Sequence, residues 1–279
     1  PWVADVLNAR LGANSAAAVR LVRGSHIVVR QMFAHDKCYF LQQPDDRIIF
    51  AIPYEGGFTL IGTTDSDHDG PKDQAMCTPE ERDYLLEAAN RYFADPITAD
   101  DIVWTYSGVR PLYDDGASSA SSATRDYVLE VSDANGAAPL LSVFGGKITT
   151  YRRLAESALM KLQPFFKTMG PAWTAEAPLP GGEFPAFELP KLIERLHESH
   201  PFLDEPWATR LIRAYGLDAF GMLDGAMTLE AMGQVFGATL TAREVDWLRE
   251  HEWARTAEDI CWRRSKLGLR MSAAEIEDL

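Results

Sequence analysis

Cysteine is scarce in this chain and does not cluster: Cys38, Cys77 and Cys261 stand far apart. An odd, scattered set supports neither a disulfide framework nor a zinc cluster, so a reducing compartment is the default. Long apolar runs are missing too, and nothing approaches the roughly 20 residues a helix needs to cross a bilayer. The first residues do not read as a signal peptide. Positive charge is in deficit, with 27 Lys and Arg against 41 Asp and Glu and a net charge of -14. Non-specific nucleic-acid binding needs clustered cations to displace counterions, so this balance argues against nucleic acid as a partner, and against attachment to anionic lipid by charge alone.

What is present is a globular composition. The 279 residues, 46% of them hydrophobic, suffice for one large core or two modest ones. Pro1-Trp2-Val3 has no initiator Met and leads straight into an amphipathic stretch, which reads as a fragment cut after a preceding strand and turn.

The pattern along the chain predicts a mixed α+β / α/β organisation. Residues 1–24 carry a short helical pattern (Trp2, Val3, Val6, Leu7) and then a Gly/Asn/Ser/Ala stretch. Residues 25–110 are strand-rich: runs at 27–29, 37–43, 47–52 and 58–61 are separated by turn signals at Pro44-Asp45-Asp46 and Glu55-Gly56-Gly57, the spacing of an antiparallel meander. A helix is expected over 78–93, with Thr78 as N-cap, Pro79 at the first position and Glu81 closing a capping box. A strand at 102–106 leads to Ser107-Gly108-Val109-Arg110-Pro111. In 111–163, two strands (127–131 and 140–144) flank a turn at 133–136, and the second runs through Gly145-Gly146-Lys147 into a helix. Residues 164–190 read as a Pro/Gly-rich linker. Residues 191–279 read as helical, with capping boxes at Thr241/Glu244 and Ser272/Glu275.

Three places carry chemistry. In Phe144-Gly145-Gly146-Lys147-Ile148-Thr149-Thr150-Tyr151-Arg152 a glycine pair joins a strand to a helix, so backbone N–H groups and the positive helix start can meet an anion or an electron-rich ring edge. Lys147 opposes the dipole there, the local conflict expected where function overrides preference. The alternative is a tight turn with a solvated lysine. Arg110 leaves an apolar strand before Pro111, which favours extended geometry, and should project from the strand end with a fork suited to phosphate or carboxylate. Pairing with Asp114 or Asp115 is the alternative. Arg125, after the Ser/Ala stretch 117–123, is similar but weaker, and by itself reads more readily as a solvated loop residue. His26, at the entry to a strand, has the chemistry of a proton acceptor near neutral pH, although a lone His is more often structural. Gly62–Gly70 looks superficially like a calcium loop but lacks the closing bidentate Glu.

Taken in order, Ser25-His26-Ile27-Val28-Val29, Ile61-Gly62-Thr63-Thr64-Asp65, Ser107-Gly108-Val109-Arg110-Pro111-Leu112, Gly145-Gly146-Lys147-Ile148-Thr149-Thr150-Tyr151-Arg152 and Trp262-Arg263-Arg264-Ser265-Lys266-Leu267-Gly268 resemble the FAD-dependent, respiratory glycerol-3-phosphate dehydrogenases, within the D-amino-acid-oxidase-like flavoproteins. The resemblance spans essentially the whole chain. It implies an antiparallel-sheet substrate domain (25–110), a remnant (1–24) and a return segment (111–163) of the FAD domain, a linker (164–190) and an all-helical C-terminal domain (191–279). It implies oxidation of glycerol 3-phosphate to dihydroxyacetone phosphate by hydride transfer to FAD, electrons passing to a membrane quinone. The enzyme would be a homodimer, cytoplasmic and peripherally membrane-bound. By the same resemblance His26, Arg110 and Lys147 are catalytic, Arg110, Arg125 and Lys147 hold substrate, and Gly145, Gly146, Lys147, Ile148 and Thr149 face the flavin. The family's G-x-G-x-x-G pyrophosphate turn does not stand in this sequence, so this chain alone is expected to be inactive. A related amine or amino-acid oxidase and a non-catalytic substrate-plus-cap module are the competing readings. Arg263, Arg264, Lys266 and Arg270 form a basic cluster, read either as a phospholipid or partner contact or as a helix face paired with local acids.

Overall fold

The computed structural model describes Trp2, Val6, 19–114, Gly116, 123–132 and 138–279. The expected helix at the start, the Ser/Ala stretch at 117–122 and the turn at 133–136 lie largely outside those residues. The chain divides into two compact units, Pro1–Ala175 and Glu176–Leu279.

The first unit is built on one antiparallel sheet: β1 (Val19–Arg30), β2 (Tyr39–Gln42), β3 (Ile48–Tyr54), β4 (Phe58–Gly62), β5 (Ser66–Asp67) and β6 (Ile102–Tyr113). β2, β3 and β4 form the expected meander. β4 and then β5 pair with one edge of β1, and β6 with the other. The turns fall where the sequence places them, and Asp46, Glu55 and Gly56 take positive φ there.

Helix α1 (Pro79–Asn90) carries the expected cap. The Thr78 hydroxyl accepts from the Glu81 amide, and the Glu81 carboxylate accepts from the Thr78 amide. Its apolar stripe of Leu85, Ala88 and Ala89 packs on Ile27, Val29, Leu41, Ile49, Ala51 and Ile61, one face of the sheet. Alternation along β1 therefore turns Arg23, Ser25, Ile27 and Val29 toward the helix and leaves Val22, Gly24, His26 and Val28 on the opposite face.

Two expectations need correction. β1 begins at Val19, not near residue 25, and β6 continues through Arg110 to Tyr113, so Arg110 sits within a strand rather than at its end. The long β1–β6 ladder, from Val19↔Tyr113 to Val28↔Trp104, supplies pairing that outweighs the break signals of Gly24 and Pro111. Pro111 is tolerated because β6 lies on the outside of the described sheet.

β7 (Tyr127–Ser132) and β8 (Leu140–Gly145) form a separate antiparallel pair. β8 runs through a 3-10 turn (Ile148–Thr150) into helix α2 (Tyr151–Leu162), the expected strand–turn–helix succession.

The second unit holds α3 (Leu189–Ser199), α4 (Glu205–Tyr215), α5 (Asp218–Met222), α6 (Ala242–His251), a π-helical turn (Asp259–Arg264) and α7 (Ala273–Glu277). It is not all-helical: Val235–Gly237 and Leu240–Thr241 form a short hairpin, β9–β10. Nor is the stretch before residue 190 a free linker from Glu176 onward. Gly181 accepts from the Leu217 amide, and a Cβ there would lie 2.2 Å from the Tyr215 carbonyl oxygen. The box at Ser272/Glu275 is present, whereas Thr241 makes no side-chain cap bond. Glu244 is instead held by the two terminal Arg210 nitrogens, Nη1 and Nη2, each at 2.6 Å, and by the Tyr215 hydroxyl at 2.7 Å, and these charge-assisted partners outcompete a backbone amide. In the basic cluster, Arg263 pairs with Glu258 and Asp259, and Arg264 with Glu252, as the paired-face reading expects. Trp262 lies over Gly268, where a Cβ would meet its ring at 2.6 Å, so this part of the motif serves packing. Among the described residues no helix is long and apolar enough to cross a membrane.

Candidate active site

On the sheet face away from α1, register places unlike residue types side by side. His26 lies opposite Gly62 of β4 and Tyr106 of β6, Gly24 lies opposite Gly108, and Val22 opposite Arg110. The His26 ring stacks on Tyr106, with centroids 4.7 Å apart and planes 6° from parallel. The glycines make this possible. A Cβ on Gly62 would lie 2.2 Å from His26 Cδ2, and one on Gly24 would lie 2.3 Å from an Arg110 guanidinium nitrogen.

The loop Thr63-Thr64-Asp65 between β4 and β5 grips that guanidinium. Arg110 Nη1 donates to Asp65 Oδ1 at 2.7 Å and to the Thr64 carbonyl at 3.4 Å, and Nη2 donates to Thr63 Oγ1 at 3.0 Å. The second Asp65 oxygen accepts from Arg125 Nη2 at 3.3 Å. Arg110 pairs with Asp65 rather than with Asp114, and Asp115 lies outside the described residues; one carboxylate shared by two guanidinium groups leaves the cluster cationic, suited to an anion.

Burial, helped by the positive charge of Arg110, pushes the His26 imidazole down from 6.5 to about 4. His26 is thus neutral at pH 7, with a ring nitrogen able to accept a proton. Among the described residues its buried Nδ1 has no hydrogen-bond partner. Because the folded value lies below the unfolded one, the stability linked to His26 is full above 6.5 and is lost as pH falls from there through about 4. An NMR titration of the His26 ring protons should show a midpoint near 4, and a midpoint at 6 or above would contradict this environment.

The glycine turn is a separate feature of the same unit. Gly145 and Gly146 have φ of 71° and 92°. A Cβ on Gly145 would lie 2.9 Å from the Asp126 carbonyl oxygen and 3.0 Å from the Tyr113 amide nitrogen, so this glycine is required by packing against the end of β6. Lys147 caps the 3-10 turn, and Lys147, Ile148 and Thr149 are exposed. Among the described residues Lys147 makes no ion pair with Asp65, the anion of the cluster; the link between the two places is β6, which carries Arg110 and ends at Tyr113 beside Gly145. The Ile148 and Thr149 amides come before the first bond of the turn, from the Thr150 amide to the Lys147 carbonyl, and together with the lysine they form a donor set that fits an electron-rich heteroaromatic edge such as the pyrimidine end of a flavin.

Sequence reasoning named His26, Arg110, Arg125, Lys147 and the glycine turn. It did not assign roles to Gly24, Gly62, Thr63, Asp65 or Tyr106. The usable signal was glycine inside strands, which marks close approach.

The first unit thus carries a histidine–arginine cluster on one sheet face and, further along the chain, a strand–glycine–helix segment. Residues 1–152 match the FAD dependent oxidoreductase family, and 172–277 match the C-terminal domain of alpha-glycerophosphate oxidase. The chain belongs to the FAD-dependent oxidoreductase family. It is 49% identical over 275 residues to the glycerol-3-phosphate dehydrogenase of Pseudomonas aeruginosa, covering 99% of this chain and 54% of that protein. It is 42% identical over 275 residues to the D-erythritol 1-phosphate dehydrogenase of Brucella abortus, covering 99% and 55%. Among solved structures it resembles the glycerol-3-phosphate dehydrogenase of Bacillus halodurans complexed with FAD, with a TM-score of 0.74 and 30% identity over 95% of this chain and 51% of that one. The chain spans about half the length of the curated relatives it matches.

Proposed function

We propose that this chain supplies the substrate side of an FAD-dependent glycerol-3-phosphate dehydrogenase, oxidising glycerol 3-phosphate to dihydroxyacetone phosphate. The observation that carries the reading is the neutral His26 set beside Arg110 and Arg125, with Gly24 and Gly62 clearing space for the first two. Arg110 orients the substrate and Arg125 holds its phosphate. The neutral His26 accepts the C2 hydroxyl proton as the C2–O bond becomes a carbonyl. FAD, when bound, supplies the two-electron acceptor for the hydride leaving C2. Lys147 and the backbone of Gly145 to Thr149 would hold the flavin's pyrimidine edge, where a cation and the positive helix start would favour the negative charge that reduction brings. Transfer of electrons to a membrane quinone, a homodimeric state and peripheral attachment at the cytoplasmic membrane face belong to the same proposal and rest on family resemblance. The similarity to an erythritol phosphate dehydrogenase supports a second reading, a longer polyol phosphate as substrate.

The visible spectrum of the full-length, FAD-loaded protein decides. Bleaching of the flavin bands by glycerol 3-phosphate under anaerobic conditions is expected. Bleaching only by a four-carbon polyol phosphate would move the substrate to the second reading, and bleaching only by an amino acid would overturn both.

A further inference from the structure

We infer that Glu81, on the opposite face of the sheet from the site, is a positioning residue that sets Arg110 through Thr64. The inference rests on Arg110 meeting the substrate.

Glu81 is 6% exposed, and a carboxylate so buried must be fully hydrogen-bonded. Capping α1 uses one of its oxygens: Oε2 accepts from the Thr78 amide at 3.1 Å, from Arg23 Nε at 3.0 Å and from Ser25 Oγ at 2.9 Å. The other oxygen, Oε1, is not needed for the cap. It accepts from Thr64 Oγ1 at 2.7 Å. That hydroxyl in turn accepts from the Ser25 amide at 2.9 Å, and the Thr64 amide donates to the Ser25 carbonyl at 3.3 Å. Thr64 is thus fixed at its side chain and at its backbone. Burial by itself would raise the Glu81 carboxyl, but the bonds from Thr64, Thr78 and Ser25 and the charge of Arg23 outweigh it and keep the group ionised.

The three loop residues divide between the faces as an extended chain must. Thr64 points to Glu81, while Thr63 Oγ1 and Asp65 Oδ1 reach Arg110 on the other side. Turning Thr64 therefore moves all three acceptors that aim the guanidinium, its own carbonyl included. Asp65 also holds Arg125, so the same pin reaches both arginines. The capping box read from the sequence at Thr78/Glu81 is one half of a through-sheet brace.

The test uses the full-length, FAD-loaded enzyme with T64V, T64S, E81Q, R110K and the T64V/R110K double variant. It measures flavin content, Tm, kcat and KM for glycerol 3-phosphate, and the Kd of dihydroxyacetone phosphate by calorimetry. T64V removes the hydroxyl at nearly constant volume and should raise KM and Kd about tenfold, with kcat and flavin content near wild type and a modestly lower Tm. T64S keeps the hydroxyl and should restore wild-type binding. In the R110K background the T64V effect should shrink to less than about twofold, because both changes act on one interaction. If T64V melts early, E81Q decides; its amide faces donors with an NH2 group, and a several-fold rise in KM is expected. Wild-type KM in both T64V and E81Q, or a T64V effect that multiplies in full with R110K, would overturn the inference. If R110K itself matches wild type, the reading of Arg110 falls first, and that outcome is distinct from failure of the brace alone.

Discussion

Gly24→Ala should lower kcat/KM for glycerol 3-phosphate by about a hundredfold while the protein keeps its fold, since a misplacement of about 1 Å at a site can cost that much. The added methyl would lie 2.3, 2.4 and 2.6 Å from three atoms of the Arg110 guanidinium. Those atoms end a flexible side chain, so the relief is for the fork to swing away from Thr63 and Asp65 rather than for the backbone to move. Binding geometry is lost and packing is kept. Steady-state kinetics beside a melting curve checks this, and unchanged kcat/KM would mean that the fork has no fixed place in the reaction. Gly62→Ala meets a stiffer neighbour, because the His26 ring at 2.2 Å is held against Tyr106. That change should cost both turnover and stability.

The largest expected effect on stability lies in the second unit. Glu244 is 1% exposed and holds Arg210 in a two-pronged pair at 2.6 Å, with the Tyr215 hydroxyl at 2.7 Å. Burial, together with the charge of Glu244, raises the Tyr215 hydroxyl far above its ordinary value, so it remains a donor at any working pH. Glu244→Ala removes the carboxylate but leaves the mostly buried guanidinium, and should destabilise the unit by about 3 kcal/mol or more. Tyr215→Phe removes a single hydrogen bond and should cost about 1 kcal/mol. Urea unfolding compares the two; a loss below about 1 kcal/mol for Glu244→Ala would show that the pair adds little beyond its desolvation cost.

Much of the fold was legible in the chain because local signals agreed with the global arrangement. The meander showed in its turn residues, α1 in Thr78, Pro79 and Glu81, and the strand–glycine–helix segment in Gly145-Gly146. Misses occurred where a distant partner decided. Thr241 and Glu244 have the spacing of a capping box, yet Arg210 and Tyr215, far off in sequence, claim the carboxylate. Val19–Gly24 and Val109–Tyr113 carry glycine, proline and charge that hide the strand period, and only their pairing with each other makes them strands.

By itself the amino-acid sequence determined the residue chemistry of the site. An imidazole, two forked cations and a lysine at a helix start stand in motifs ordered as in a flavin-dependent family. Tertiary structure alone decided which of these meet. Asp65 joins Arg110 to Arg125, Gly62 and Gly24 clear space for His26 and Arg110, and Glu81 reaches the site loop from behind. The physical reason is register: strands far apart in sequence bring single residues into opposition, and a shift of one position would send each to the other face.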